Sequence, residues 1–336
     1  MMGKHTIYFK NKPVIIGTHT IAGPKEGKGS VGSCIDTVLE DDRFEEKTFE
    51  KAECKMLSFA IGHAISNAKK RFSDIDALVA GDLLNQIISA SFAARDYSIP
   101  FIGVYNACST MSESLALGAA LIDGGYMNNV VCATGSHFST AERQYRYPLE
   151  LGSTRPPQAQ WTVTGAGAAV LSSAGRGPKI TMATFGKVVD YGVTDANNMG
   201  AAMAPAAMST LVSHFRESGE TPDCYDLIIT GDLGVFGSRI LKDLVWEKGY
   251  DIEKQHVDCG ELIYKTNIRA AREPDAAPSF SILISIKSCA KKNFHAYCSW
   301  LRALCCRRLP RSRGSRFPAS LTPWWWRDKW KLYGCL

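Results

Sequence analysis

The 336-residue chain predicts an α/β protein built from two similar halves. Three observations carry that prediction. Short apolar strands alternate with helical segments through residues 1–264. The strand Asp76–Leu83, with its Gly-Asp-Leu turn, is restated by Tyr225–Leu233 about half a chain later, as an internal duplication requires. Hydrophobic residues make up 45% and charged residues 21%, a balance that excludes global disorder, collagen and a disulfide miniprotein.

The elements follow in order. Pro13–Gly17 reads as a short buried strand, followed by a glycine-rich loop over His19–Gly32. Within that loop Gly23–Ser30 fails the phosphate-binding pattern, because only three residues separate its glycines and Lys28 is followed by Gly29. Residues 48–70 read as an amphipathic helix, with Phe49, Ala52, Met56, Phe59, Ala60 and His63 on one stripe. Asp74–Leu83 is a buried strand with a Gly-Asp turn, residues 86–95 a short helix, and Ile99–Val104 a strand. Ser109–Asp123 is helical and Asn129–Ala133 is a strand. Thr162–Leu171 is a strand too rich in small residues for a surface position. Its Gly165-Ala166-Gly167 lacks the third glycine of a dinucleotide fingerprint, so close packing explains it.

The chain changes character near residue 264. Residues 265–336 carry 15 Lys and Arg against 3 Asp and Glu, whereas residues 1–264 carry 24 against 30. Of 29 glycines, 27 precede the break, and five of seven tryptophans follow it. The N-terminus shows no secretory signal, and no window is long and apolar enough to span a bilayer. The scattered cysteines have no disulfide framework or zinc spacing and fit a reduced, cytoplasmic setting.

One position carries chemistry. Phe101–Ser112 reads as strand, sharp turn and helix, with Cys108 at the turn. A thiol at a helix N-terminus meets unpaired backbone N–H groups and the positive end of the dipole, which favour the nucleophilic thiolate. A buried structural cysteine is the other reading. His137 ends the next strand, where sites gather in α/β folds, and reads either as a pocket residue or as an ordinary loop histidine. Arg143, Arg146 and Arg155 could hold an anion through forked hydrogen bonds, or simply be solvated.

At these residues the sequence resembles the thiolase-like superfamily and, within it, the stage V sporulation protein AD family. The likeness rests on Asn106–Ser109, Ala133–Phe138, Arg155–Gln158 with Thr162–Gly165, Asp190–Val193, Asn198–Gly200 with Met203–Ala207, Thr230–Gly234 and Asp258–Tyr264. It implies two pseudo-repeated halves in an α-β-α-β-α layered sandwich, here with the second half incomplete, and usually a homodimer. The expected domains are 1–177, the first half; 178–264, the start of the second; and 265–336, a basic and poorly structured tail. Cys108 stands where condensing enzymes carry their nucleophile. The resemblance implies binding of dipicolinic acid and its movement, with calcium, into the developing spore, beside membrane-embedded partner subunits. Ligand contacts are expected from Cys108, Ser136, His137, Arg143 and Asn198. No cofactor, protein-bound metal or nucleic acid is expected, and the protein is expected in the cytoplasm, peripheral to the spore inner membrane.

After Tyr264 the resemblance stops, and a shifted reading frame restores it. When the third base of each codon is joined to the first two of the next, Arg269–Glu273 permit Gly-Gly-Ser-Gly. Ala296–Cys306 permit Ile-Leu-Phe-Val-Ala-Thr-Gly-Ala-Leu-Leu, and Pro318–Trp325 permit Gly-Ile-Ala-His-Ala-Val. Three family-like motifs thus emerge in order from one frame. The tail therefore reads as a frameshift product, and its loss of central strands predicts an unstable or aggregation-prone chain. Two other functions are weighed: acyl transfer through Cys108, and binding of nucleic acid or an anionic membrane surface by the basic, tryptophan-bearing tail.

Overall fold

In a computed structural model, residues 5–145, 161–194, 198–264, 298–303, 321–326 and 331–334 are described. The first half runs β1 (Thr6–Tyr8), β2 (Val14–Ala22), α1 (Pro24–Gly27), β3 (Thr37–Val38), α2 (Phe49–Asn67), β4 (Ala77–Gly81), α3 (Ile88–Arg95), β5 (Phe101–Gly103), α4 (Thr110–Asp123), β6 (Asn129–Ser136), α5 (Phe138–Tyr145) and β7 (Gly165–Ser172). The second runs β8 (Lys179–Thr184), α6 (Met199–Ser218), β9 (Leu227–Gly231), α7 (Gly234–Trp246), β10 (His256–Asp258), α8 (Cys259–Ile263), β11 (Cys298–Ala303), β12 (Leu321–Trp326) and β13 (Lys331–Gly334).

The duplication is visible in the strand order. The first half pairs in the order β5-β4-β6-β7-β2 and the second in the order β10-β9-β11-β12-β13-β8, with β12 also pairing β8 directly. The hands match as well. β4 is parallel to β5 and β6, and β7 is antiparallel to β6 and β2. Likewise β9 is parallel to β10 and β11, and β12 is antiparallel to β11 and β8. One residue pair, Val14 with Lys179, joins β2 to β8. The repeated Gly-Asp-Leu motif ends β4 and β9, the equivalent strands of the two halves.

The core clusters set the layers. Met56, Leu57, Ile61 and Ile65 of α2 and Ala90 and Ala93 of α3 pack with Leu78, Val131 and Val170 on the outer face of the first sheet. On its inner face Met111, Leu115 and Ala119 of α4 touch Val79, Cys132 and Leu171. The same cluster reaches Ile180 and Ile229 of the second sheet. Beyond that sheet, Met203, Ala207 and Leu211 of α6 and Leu241 and Val245 of α7 pack on Met182 and Ile228. The sequence of layers is α-β-α-β-α.

Small residues make these contacts possible. Every residue of β7, GAGAAVLS, is buried between β2 and β6. A Cβ on Gly118 of α4 would lie 2.8 Å from the Cys132 sulfur. Helix α2 begins at the Thr48 cap, whose side chain accepts from the Lys51 N–H. Its buried stripe takes in Ala52, Met56 and Ala60 as expected, with Leu57, Ile61, Ala64 and Ile65 beside them. His63 stacks on Phe59 at the edge of that stripe, with the ring centroids 3.9 Å apart.

Two expectations meet a different arrangement. The strand expected at Pro13–Gly17 continues to Ala22, because antiparallel pairing with β7 carries it through the His19–Ala22 stretch read as loop. The tail, expected to hold little structure, contributes three strands. β9 would otherwise present an open edge beside β10, and backbone pairing satisfies that edge whatever the side chains. Among the described residues no helix is long and apolar enough to cross a membrane.

Candidate functional site

Cys108 lies on a single 3-10 turn, Ala107–Ser109, between the end of β5 and the start of α4. The local chain is held hard. The Ser109 hydroxyl donates to the Asn106 carbonyl at 2.9 Å and the Thr110 hydroxyl to the Ala107 carbonyl at 2.6 Å. Ala107 sits at φ 43°, a left-handed conformation that costs a residue with a Cβ on the order of 1–2 kcal/mol. Such strain persists only where the surroundings impose it. One of those surroundings is Gly81 at the end of β4, where a Cβ would lie 1.9 Å from the Val104 carbonyl oxygen and 2.8 Å from the Thr110 methyl. The turn that presents position 108 is therefore clamped against β4. The side chains of Cys108 and Arg143 lie outside the described residues, as do Arg146 and Arg155 entirely.

The turn packs on residues of both halves, one of which, Val163, is also a partner of Ser136. Ala107 packs with Leu83, Val163 and Ala141 of the first half and Ile263 of the second. Ser136, at the end of β6, is fully buried and donates to the Val163 carbonyl at 2.6 Å. His137 is fully buried beside it, and both ring nitrogens are engaged. Nε2–H donates to the Asp42 carbonyl at 2.8 Å, and Nδ1 accepts from the Ser139 N–H at 3.2 Å. Burial lowers its pKa to about 4, with the Asp42 contact a smaller opposing influence, so the ring is neutral. Arg143 falls on α5, the helix that follows. Asn198 does a local job, capping α6 by accepting from the Ala201 N–H at 3.2 Å. The close approach of Gly200 to Gly237 seats that helix start on α7.

Several buried acids around the turn were not singled out from the sequence. Asp82, directly after β4, accepts from the Leu84 N–H at 2.7 Å and the Ala90 N–H at 2.6 Å, and burial raises its pKa to about 6. Glu53 of α2 takes the Thr140 hydroxyl at 2.6 Å. Burial, and then the charge of Asp82, push its carboxyl well above the ordinary range. In the second half the anchoring acid is Asp258, not the sequence-equivalent Asp232. It accepts from the Thr230 hydroxyl at 2.6 Å and from the N–H groups of Leu233, Gly234 and Gly260. The echoed Gly-Asp-Leu motif was the signal for Asp82. Asp258 opens the family-like run Asp258–Tyr264, but its partners Thr230, Leu233 and Gly234 lie on other elements that the spacing does not bring to it.

A left-handed turn at a strand end, opening a helix that is sandwiched between two duplicated sheets, is the arrangement of a thiolase-like fold. Solved structures agree at the level of the fold. 3-Oxoacyl-[acyl-carrier-protein] synthase III from Aquifex aeolicus VF5 is 14% identical, with TM-score 0.56 over 94% of this chain and 100% of that one. A single-residue variant of OleA from Xanthomonas campestris is 13% identical, with TM-score 0.61 over 94% of this chain and 98% of that one. The chain is 45% identical over 264 residues to stage V sporulation protein AD of Bacillus subtilis (strain 168), covering 79% of this chain and 78% of that protein. The family model for stage V sporulation protein AD matches residues 3–286, running beyond the Tyr264 limit read from the sequence. The chain belongs to the stage V sporulation protein AD family.

Proposed function

We propose that this protein binds dipicolinic acid in a pocket at the Cys108 turn and supports its uptake, with calcium, into the developing spore. It works as a homodimer at the cytoplasmic side of the spore inner membrane, beside membrane-embedded partners. Family membership supports the sporulation role. The observation that favours binding over acyl transfer is His137. A condensing enzyme needs a nitrogen free to serve the thiol, and both nitrogens of this ring are spent on Asp42 and Ser139. His137 then shapes the pocket wall, while Cys108, Ser136, Arg143 and Asn198 are the proposed contacts or their supports. The test is equilibrium dialysis of the chain against dipicolinic acid, with Cys108→Trp filling the pocket. Saturable binding lost in that variant supports the reading, and equal binding in both refutes the location. Acylation of Cys108 by an acyl thioester, read by mass, would instead favour the condensing-enzyme alternative.

The same proposal treats residues 265–336 as a shifted reading of the family's own C-terminus. Two features support it. β11 and β12 occupy the slots equivalent to β6 and β7, whose residues are almost all buried. Yet β12 carries Pro323, which has no N–H for a ladder, in a strand flanked on both sides. β11 is written CSWLRA where its counterpart reads NVVCATGS. The shifted reading of Ala296–Cys306 contains Val-Ala-Thr-Gly, close to the Cys132-Ala133-Thr134-Gly135 of β6. The nucleotide sequence around codon 264 decides it: an open, family-like frame supports the proposal and its absence refutes it.

A further inference from the structure

A cavity of about 380 Å³ opens between α6, the chain following α7 and the segment after β8. Its floor is apolar, formed by the buried Met208 and Val212. Lys187, Arg216 and Lys248 stand at its rim with Tyr191, which is 60% exposed. Among the described residues no Asp or Glu lines it. Three acids adjoin the lining in sequence: Glu247, before Lys248, is not among the lining residues, and Glu217, after Arg216, accepts from the backbone N–H groups of His5 and Thr6. Asp190 accepts from the Gly192 N–H within its own loop.

Three like charges around one concavity repel one another, and the low-dielectric floor keeps solvent from screening them fully. An anion relieves that repulsion, the Arg216 guanidinium can grip two oxygens at once, and the exposed Tyr191 ring offers a face to a flat apolar body. The volume lies within the range of small-molecule sites and is too small for a folded partner. We propose that the Lys187–Arg216–Lys248 cavity binds a small planar molecule bearing anionic oxygens, at a site separate from the Cys108 turn and independent of what binds there.

Phenyl phosphate is the probe, with inorganic phosphate as the charge-only control. The readout is acetylation of Lys187 and Lys248 in the full chain, followed by peptide mass. At a phenyl phosphate concentration about five times Kd, mass action slows acetylation of both lysines about sixfold. Inorganic phosphate at the same concentration slows it less. Arg216→Ala weakens phenyl phosphate about tenfold and Arg216→Lys restores part of the loss, while Cys108→Ala leaves protection unchanged. If Arg216→Ala fails to fold, loss of protection with rising salt in the unmodified chain is the supporting result. Equal protection by the two phosphates overturns the proposal. So does protection seen only with vesicles of phosphatidylglycerol and phosphatidylcholine, which would point to a lipid headgroup, or protection that disappears in Cys108→Ala.

Discussion

The hydroxyl of Tyr264 donates a 2.8 Å hydrogen bond to Glu26 Oε1, 238 residues earlier in the chain. Glu26 is buried, and burial raises its pKa. The Tyr264 hydroxyl and the Thr164 N–H are opposing influences that favour the charged form. The contact ties α1 to the end of α8, and so ties one half to the other, alongside the packing of Ile263 on Ala22 and Val31. Tyr264→Phe leaves that oxygen with one fewer donor and is expected to cost roughly 1–3 kcal/mol of unfolding free energy. Denaturant titration of the two proteins measures it, and an unchanged midpoint would show the bond to be idle.

Gly81 tests the clamp on the Cys108 turn. Gly81→Ala drives a Cβ into the Val104 carbonyl, a backbone atom that cannot swing aside. The expected loss is roughly 1–3 kcal/mol, with weaker dipicolinic acid binding if that ligand sits at this turn. A stable Gly81→Ala variant with intact binding would argue against a rigid turn.

The thiols should separate by environment. Burial raises the pKa of Cys54 to about 11 and pushes that of Cys132 well above the ordinary thiol range. Both are therefore poor thiolates near neutral pH. Iodoacetamide at mildly alkaline pH is expected to modify Cys108 ahead of Cys54 and Cys132, and, on the proposed function, dipicolinic acid is expected to slow Cys108. Peptide mass spectrometry over time gives the order, and labelling of Cys132 ahead of Cys108 would count against an accessible thiol at the turn.

His137 gives a pH dependence with a definite sign. Its folded pKa is about 4, below the unfolded value of about 6.5. The unfolded ring therefore binds a proton that the folded ring refuses, and the stabilisation present above about pH 6.5 is lost as pH falls toward 4, at up to ~1.4 kcal/mol per pH unit. Asp82 and Asp258, with pKa values raised to about 6 and about 7, act oppositely over the same window. His137→Asn is expected to flatten the acid loss relative to the parent. Parallel stability curves across that window would show that the ring takes no part.

If residues 265–336 are a shifted reading, restoring the frame after Tyr264 is expected to raise both Tm and cooperativity. The central slots beside β9 and β8 would then receive apolar strands free of proline, in place of a β12 interrupted by Pro323. Differential scanning calorimetry of the two chains provides the comparison, and matching transitions would remove the argument for a damaged second half.

Much of this architecture was legible beforehand, for identifiable reasons. Period and composition found β4, β6 and β7, because strands buried on both faces read as continuous apolar or small-residue runs. The Gly-Asp-Leu echo found the duplication, and the strand-turn-helix pattern found the Cys108 turn. The extension of β2 to Ala22 was hidden, because His19 and Thr20 look like loop residues until pairing with β7 buries them. The fate of His137 was hidden too. Its partners Asp42 and Ser139 come from a distant loop and from the backbone, which one-dimensional spacing does not report. Asn198 belongs to the family motif, yet its visible work is at a helix start.

The five strands β5, β4, β6, β7 and β2 of the first sheet come from one unbroken stretch, Val14–Ser172, and none of them is borrowed from downstream. Every strand of that sheet is therefore translated before Lys179, the first residue of β8. If residues 265–336 are a shifted reading, the strands of the first sheet are all written upstream of the change, and limited proteolysis is expected to leave a resistant N-terminal fragment.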